Sequence, residues 1–359
     1  MIKKISTIQL VPGMTVAEDV FTYDRQLILS KGTILNDRLI MKLDLYGILT
    51  IFIEGSVSAS SSEVSPQEQT YLQRIKEDPV FPVFKREYEI SVDFLQENIK
   101  RVIKGSLKLD INELLKGVLR VLGVDRGRIG ILDLLQNMRA FDSSTFSHSI
   151  NVALICNLLA GWLKWDTKRV ELATACGLFH DIGKIQVPHA IITKPGRLSA
   201  KELAVIQQHP ALGCQLLISQ NADEHICNAA LMHHERCDGS GYPTGLKGDQ
   251  IDPYAKLVAI VDVYDAMTAP RVYRGPLCPF RVIELFEAEG FQKYEVAYLL
   301  AFMENVVNSY IQSPCLLSDG RKGTIIYINK SHLSRPIVQC GTEYVNLLEH
   351  PDLSIVSLL

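Results

Sequence analysis

The chain has 359 residues, 47% of them hydrophobic, and a net charge of −3. That length fits two or three domains around a substantial core. The near-neutral charge excludes a global basic field for a nucleic-acid polymer but leaves a small anionic ligand open, since local charge decides that.

The N-terminal MIKKISTIQLVPG lacks a long apolar run, so no signal peptide is read. Residues 1–54 alternate apolar and polar side chains, with turn signals at Pro12-Gly13, Asp24-Arg25 and Lys31-Gly32. This predicts a small β-rich domain with one helix near residues 36–46. The Ser-rich stretch 55–67 reads as a linker, and 68–137 as a helical connector. Helical periodicity dominates to residue 312. Ser199 with Glu202 fits a capping box opening a helix toward His209. Asp252 before Pro253 fits an N-cap for the helix carrying Asp262. The most apolar segment, Val152 to Leu163, contains Asn157 and falls short of the roughly 20 residues a membrane span needs. The cytoplasm is therefore the expected compartment. In the tail, 313–359, Asp319-Gly320 and Lys322-Gly323 read as turns and TIIYI at 324–328 as a strand, predicting a small β-module. The eight cysteines show no C-x-x-C spacing, and several lie in apolar helical stretches, so they read as buried reduced thiols.

Seven of the nine histidines fall between 148 and 234. His180 and Asp181, in HDIGK, end the apolar helix VELATACGLF. Asp262 sits in KLVAIVDVYDAM, where an ionised carboxylate costs several kcal/mol unless a cation compensates it. A metal would compensate and also account for the histidines; a buried Arg or Lys is the rival. His148, in TFSHSINVALIC, and His209, before Pro210, are individually weak signals, since a single histidine on an apolar face is more often a hydrogen-bonded core residue. His233 and His234 are consecutive and lead into the glycine-rich loop Gly239-Ser240-Gly241-Tyr242-Pro243. Adjacent helical residues point about 100° apart, so His180 and Asp181 would face two neighbouring metals, with Asp181 bridging. Lys184 lies one turn on, placed to hold a substrate phosphate. Imidazole with carboxylate suits Mn, Fe, Ni or Zn better than Mg or Ca. Two such ions sharing a hydroxide form the usual arrangement for phosphoester cleavage. Tyr242 offers a ring or hydroxyl to a nucleotide, Asp238 fixes its loop, and Arg271 and Arg274 are candidate forks for phosphate or guanine. His189, His225, His332 and His350 lack such context and read as ordinary histidines.

Four motifs, HDIGK, KPGRLSAKELAVIQQHPALG, HHERCDGSGYPTGLKGDQI and AIVDVYDAMT, follow one another as in HD-GYP domains of the HD phosphohydrolase superfamily. The resemblance runs from about 138 to 312. It implies an all-helical domain that hydrolyses cyclic di-GMP to pGpG, with GMP a second product. It further implies that His148, His180, Asp181, His209, His233, His234 and Asp262 ligate metal, Fe or Mn before Ni or Zn. Asp181 would bridge the ions and act with Lys184 in catalysis. Lys184, Tyr242, Arg271 and Arg274 would contact substrate. Three departures stand out. Some members ligate a third metal through a Glu four residues before the first histidine; Ser144 stands there, so two ions are expected. Cys237 replaces a common Trp, and Pro270 precedes Arg271 instead of following it. The N-terminal 54 residues resemble small domains found ahead of some such modules. The flanking β-modules are candidates for gating access or for homodimer contacts. The competing readings are a non-catalytic cyclic di-GMP receptor that signals to a partner protein and a hydrolase of another cyclic dinucleotide or phosphoester.

Overall fold

A computed structural model of the chain describes residues 2–6, 10, 13–21, 27–35, 39–40, 42–43, 48, 50–54, 75–125, 130–138, 144–192, 194, 199–269 and 276–359. The 55–67 linker, the Asp24-Arg25 turn, Pro12, Pro270, Arg271 and Arg274 lie outside the described residues. A helix-rich middle is flanked by small sheets at both ends, and no helix of the described residues is long and apolar enough to cross a membrane.

The N-terminal unit has strands β1 (Ile2–Ser6), β2 (Thr15–Val16), β3 (Val20–Phe21), β4 (Leu27–Leu29) and β5 (Thr50–Glu54). β1, β5 and β2 form one antiparallel sheet, while β3 and β4 pair separately. The turns at Gly13 and Gly32 use φ of +92° and +84°, a region that favours glycine. Its core gathers Val16, Ile28, Leu35, Ile40, Leu43, Ile51 and Ile53, with helical backbone at residues 39–40 and 42–43.

Among the described residues, the α-helices of seven residues or more are α1 (Val80–Ile103), α2 (Ile111–Leu122), α3 (Ile131–Met138), α4 (Thr145–Trp162), α5 (Thr167–Phe179), α6 (Ala200–Ile206), α7 (His209–Ser219), α8 (Glu224–Met232), α9 (Pro253–Thr268), α10 (Pro279–Leu285) and α11 (Val296–Ser309). Side-chain caps set the starts of several. Ser144, Asp166, Ser199, Asp223 and Asp252 each accept a backbone N–H from their own first turn. The Ser199–Glu202 capping box is complete, but its helix stops at Ile206 and His209 opens the next one. α4 and α9 are apolar around most of their circumference, so both are buried at the centre, with α5 against α4.

The C-terminal sheet is antiparallel in the order β10 (Ile355–Leu358), β6 (Pro314–Leu317), β7 (Lys322–Tyr327), β8 (Ile337–Cys340), β9 (Glu343–Asn346). Its Ile325, Val338 and Leu358 belong to the same continuous apolar cluster as α4 and α9. The expected turn at Lys322-Gly323 is corrected: both residues begin β7, and Gly323 pairs with Cys315. A Cβ on Gly323 would lie 2.4 Å from the Val338 side chain, so this glycine serves close strand packing. Asp319-Gly320 does turn, with Gly320 at φ +88°. Glu287 anchors the module to the helices, accepting from the backbone N–H groups of Leu333 and Ser334 and from the Ser334 hydroxyl. Arg335 adds an ion pair to Glu284 at 2.8 Å. The eight cysteines are free thiols; six are buried, and Cys237 and Cys340 are half-buried.

Candidate metal centre

Three helix ends and two helix interiors deliver nitrogen and oxygen donors to one buried pocket. Asp181, His209, His233 and His234 form one group of donor atoms within 4.8 Å of one another; His148, His180 and Asp262 form a second by the same measure. α5 ends at Phe179, and Asp181 leaves the helical path (φ −100°, ψ 8°) before a 3-10 turn at Ile182–Gln186. The 100° separation of an unbroken helix therefore does not apply between His180 and Asp181. His180 Nε2 and Asp181 Oδ2 lie 3.4 Å apart, facing one cavity. His209 arrives at the start of α7, His233 and His234 just past the end of α8, and His148 and Asp262 from inside α4 and α9.

Asp181 is the common neighbour. Its Oδ1 is 3.2 Å from His209 Nε2 and 3.6 Å from His233 Nε2, while its Oδ2 is 3.7 Å from His148 Nε2. Asp262 Oδ1 lies 3.0 Å from His148 Nε2 and 3.7 Å from His180 Nε2. The outward nitrogens are occupied. His180 Nδ1 lies 2.7 Å from the Gly177 carbonyl, His209 Nδ1 2.7 Å from that of Ile206, and His233 Nδ1 3.0 Å from that of Ala230. Each ring thus donates outward and turns its Nε2 lone pair inward.

The His180, Asp181 and His233 side chains are buried to within about a hundredth of full enclosure. Burial disfavours the Asp181 carboxylate, yet Lys184 and His180 outweigh it and hold its pKa well below the usual range. Asp262 is held low against burial by the His148 hydrogen bond at 3.0 Å and by the nearby His180. Burial also opposes the His180 imidazolium, but the Asp181 charge raises its pKa to about 10. The His148 pKa is likewise raised despite burial, by Asp262 and Asp265. Burial lowers His233 to about 4 and His234 well below its ordinary value. Asp181 and Asp262 are thus both favoured as carboxylates inside a buried pocket, where only Lys184 and the imidazoles face them among the described residues. Two buried atoms at the centre, His180 Nε2 and Asp181 Oδ1, make no hydrogen bond among the described residues. Unsatisfied buried donor atoms converging at metal-ligand reach fit divalent transition ions.

The surroundings add residues that the sequence reading passed over. Asp265, buried one helical turn beyond Asp262, faces His148 Nδ1 at 2.8 Å. Glu235 is buried and accepts from Thr244 N–H at 2.7 Å and Leu246 N–H at 2.9 Å, tying down the loop after the histidine pair. Arg236 donates to the carbonyls of His233 (3.1 Å) and Glu235 (2.8 Å). Asp265 carried the same signal as Asp262, a carboxylate in an apolar helix. Glu235 and Arg236 bond mainly to backbone, which leaves no pattern in sequence.

Lys184 is ion-paired with Asp181 Oδ2. Tyr242 stacks on His234, with ring centroids 4.5 Å apart and planes 20° apart. Asp238 accepts from Ser240 N–H at 2.9 Å and its hydroxyl at 2.6 Å. Gly241 permits the fold-back: a Cβ there would lie 2.4 Å from Glu235 Cα. Ser144 caps α4 and belongs to neither donor group. Cys237 packs beside Gly248 and donates its N–H to the Lys293 carbonyl. His225 binds Asp252 Oδ2 at 2.7 Å, tying α8 to the cap of α9.

Residues 133–294 match a family model described as an HD domain. The chain is 32% identical over 206 residues to a cyclic di-GMP phosphodiesterase of Pseudomonas aeruginosa, covering 57% of this chain and 50% of that protein. It is 39% identical over 145 residues to the 3'3'-cGAMP-specific phosphodiesterase 1 of Vibrio cholerae, covering 40% of this chain and 34% of that protein. A cyclic di-GMP phosphodiesterase of Thermotoga maritima is 33% identical over 185 residues, which is 50% of each chain. The matches span half or less of the length of these relatives.

Proposed function

We propose, from the match of residues 133–294 to an HD-domain model, that the protein is a metal-dependent phosphodiesterase acting on a cyclic dinucleotide. Its substrate is cyclic di-GMP and its first product linear pGpG, with GMP as a second product. The observation that carries the reading is the pair of adjoining donor groups around Asp181. His148, His180 and Asp262 would hold one divalent transition ion and His209, His233 and His234 the other, with Asp181 available to both groups. Fe or Mn suits this donor set best, and Ni or Zn is next. When bound, the ions supply an acidified water as nucleophile and positive charge for the phosphate oxygens.

The chain's own residues do the rest. Asp181 bridges the two groups through its separate oxygens, which fixes the spacing of the site. Lys184 turns its ammonium from Asp181 to a nonbridging phosphate oxygen and stabilises charge developing there. Tyr242, braced by His234, presents its ring to a base. Arg271 and Arg274 contact the phosphate or the guanine, a role that rests on the sequence resemblance alone. The helical domain spans 138–312, with the connector 68–137 and the linker 55–67 joining it to the N-terminal unit and 313–359 forming a separate module. The protein acts in the cytoplasm, and the flanking sheets regulate access or pair two copies.

The 39% identity to a 3'3'-cGAMP-specific enzyme favours one second reading, in which the mixed dinucleotide is the substrate. The test is to incubate Mn- or Fe-loaded protein with cyclic di-GMP and with 3'3'-cGAMP and resolve the products by chromatography. Linear pGpG, abolished by Asp181→Ala, is the expected result. Turnover of 3'3'-cGAMP alone selects the second reading. Tight binding of either compound without turnover by metal-loaded protein overturns the enzyme and leaves a receptor.

A further inference from the structure

α9 carries two buried carboxylates three residues apart, and both close on the ring of His148. Asp262 Oδ1 is 3.0 Å from its Nε2, and Asp265 Oδ2 is 2.8 Å from its Nδ1. Asp262 belongs to a donor group and Asp265 does not. Asp265 is 1% exposed, so only a strong partner offsets the cost of its burial. A carboxylate accepts only, so with Asp265 taking the Nδ1 proton, His148 would turn the Nε2 lone pair to an ion placed between Nε2 and Asp262.

The other rings are held differently. His180, His209 and His233 each face a backbone carbonyl through Nδ1. Of these four rings, only that of His148 is backed by a carboxylate. A carbonyl fixes orientation; a carboxylate also adds a full negative charge behind the ring, which strengthens it as a ligand.

We infer that Asp265 is a positioning residue that aims and strengthens His148 toward the ion held with His180 and Asp262, making the two ion sites unequal. This inference rests on the two-ion reading of the pocket. It requires that loss of Asp265 loosen one ion and spare the other.

The test uses the full chain, loaded with Mn(II), as wild type, Asp265→Asn and Asp265→Ala. Ions per chain are counted during titration with a chelator, and electron paramagnetic resonance distinguishes a coupled Mn pair from an isolated Mn ion. The expected result is selective release of one ion from Asp265→Ala, at an affinity about 10–100-fold below wild type, leaving the six-line signal of an isolated ion. Asp265→Asn keeps the shape and an acceptor oxygen but not the charge, and should fall between the two. His148→Ala should lose the same ion. A merely structural role would instead lower the melting temperature of metal-free protein and leave both ions equally held. Two ions at wild-type affinity in both Asp265 variants overturn the inference while leaving the two-ion reading intact. A wild type that never holds a coupled pair overturns the two-ion reading and the inference with it.

Discussion

Replacing Gly183 by alanine tests how tightly the HDIGK turn is fitted to the ligand that faces it. A Cβ at Gly183 would lie 2.0 Å from the His209 carbonyl oxygen, 2.5 Å from Gly213 N and 2.9 Å from the His209 carbonyl carbon. All three are backbone atoms, so no side chain can rotate aside. Restoring a contact of about 3.4 Å means moving the start of α7 by about 1.4 Å, and His209 moves with it. His209 Nε2 now lies 3.2 Å from Asp181 Oδ1, so that shift takes the ligand out of register with its group. Overpacking against backbone belongs at the upper end of the usual range, about 3 kcal/mol. For a domain of this size that lowers Tm by roughly 6–12 °C. Gly161→Ala is the control: its Cβ meets nothing within 4 Å, and it sits inside α4. It should stabilise by about 0.5–1 kcal/mol. The assays are thermal unfolding of metal-free protein and ions per chain after loading. Gly183→Ala should melt lower and lose the ion proposed to sit beside His209, His233 and His234. A Gly183→Ala protein with wild-type Tm and wild-type metal affinity refutes the reasoning.

Lys184→Ala should keep both ions and slow turnover, read from metal content and kcat; an empty site would show that the lysine holds the cage together instead. Glu287→Ala removes the acceptor for two N–H groups and a hydroxyl in the C-terminal module. Hydrogen bonds to a charged acceptor predict a loss of about 2 kcal/mol and faster hydrogen exchange across 313–359, and unchanged exchange there would contradict the anchor. Lys293 is 3% exposed; burial, then Arg236, brings its pKa from 10.5 down to about 7. Between those values the unfolded chain binds a proton that the folded chain lacks, so stability rises with pH across that window. Measured by denaturant unfolding, the stability of wild type relative to Lys293→Met should rise from pH 7 to 10 by an amount on the order of a few kcal/mol, and a pH-independent difference would refute it.

Much of this pocket was readable because charge in an apolar helix is conspicuous. Asp262 and His148 stand out among Val, Ile and Ala, and a buried ionic group must be answered by something. The direction each side chain takes was not readable. The geometry of His180 and Asp181 depends on a helix that ends at Phe179, just before them, and a 3-10 turn that follows. Asp265 carried the same signal as its neighbour, but its partner lies 117 positions away in the chain. Glu235 and Arg236 act on backbone groups, which all residues share. Caps at Ser199 and Asp252 were legible because they are local. Gly323 misled because glycine marks a turn and a close strand contact alike.

The central claim is tested most directly by counting the transition ions in protein purified without oxygen and locating them by anomalous X-ray scattering. The account predicts two ions per chain, one beside His148, His180 and Asp262 and one beside His209, His233 and His234, with Asp181 touching both. A single ion, a third ion near Ser144, or two ions bound away from Asp181 would contradict it.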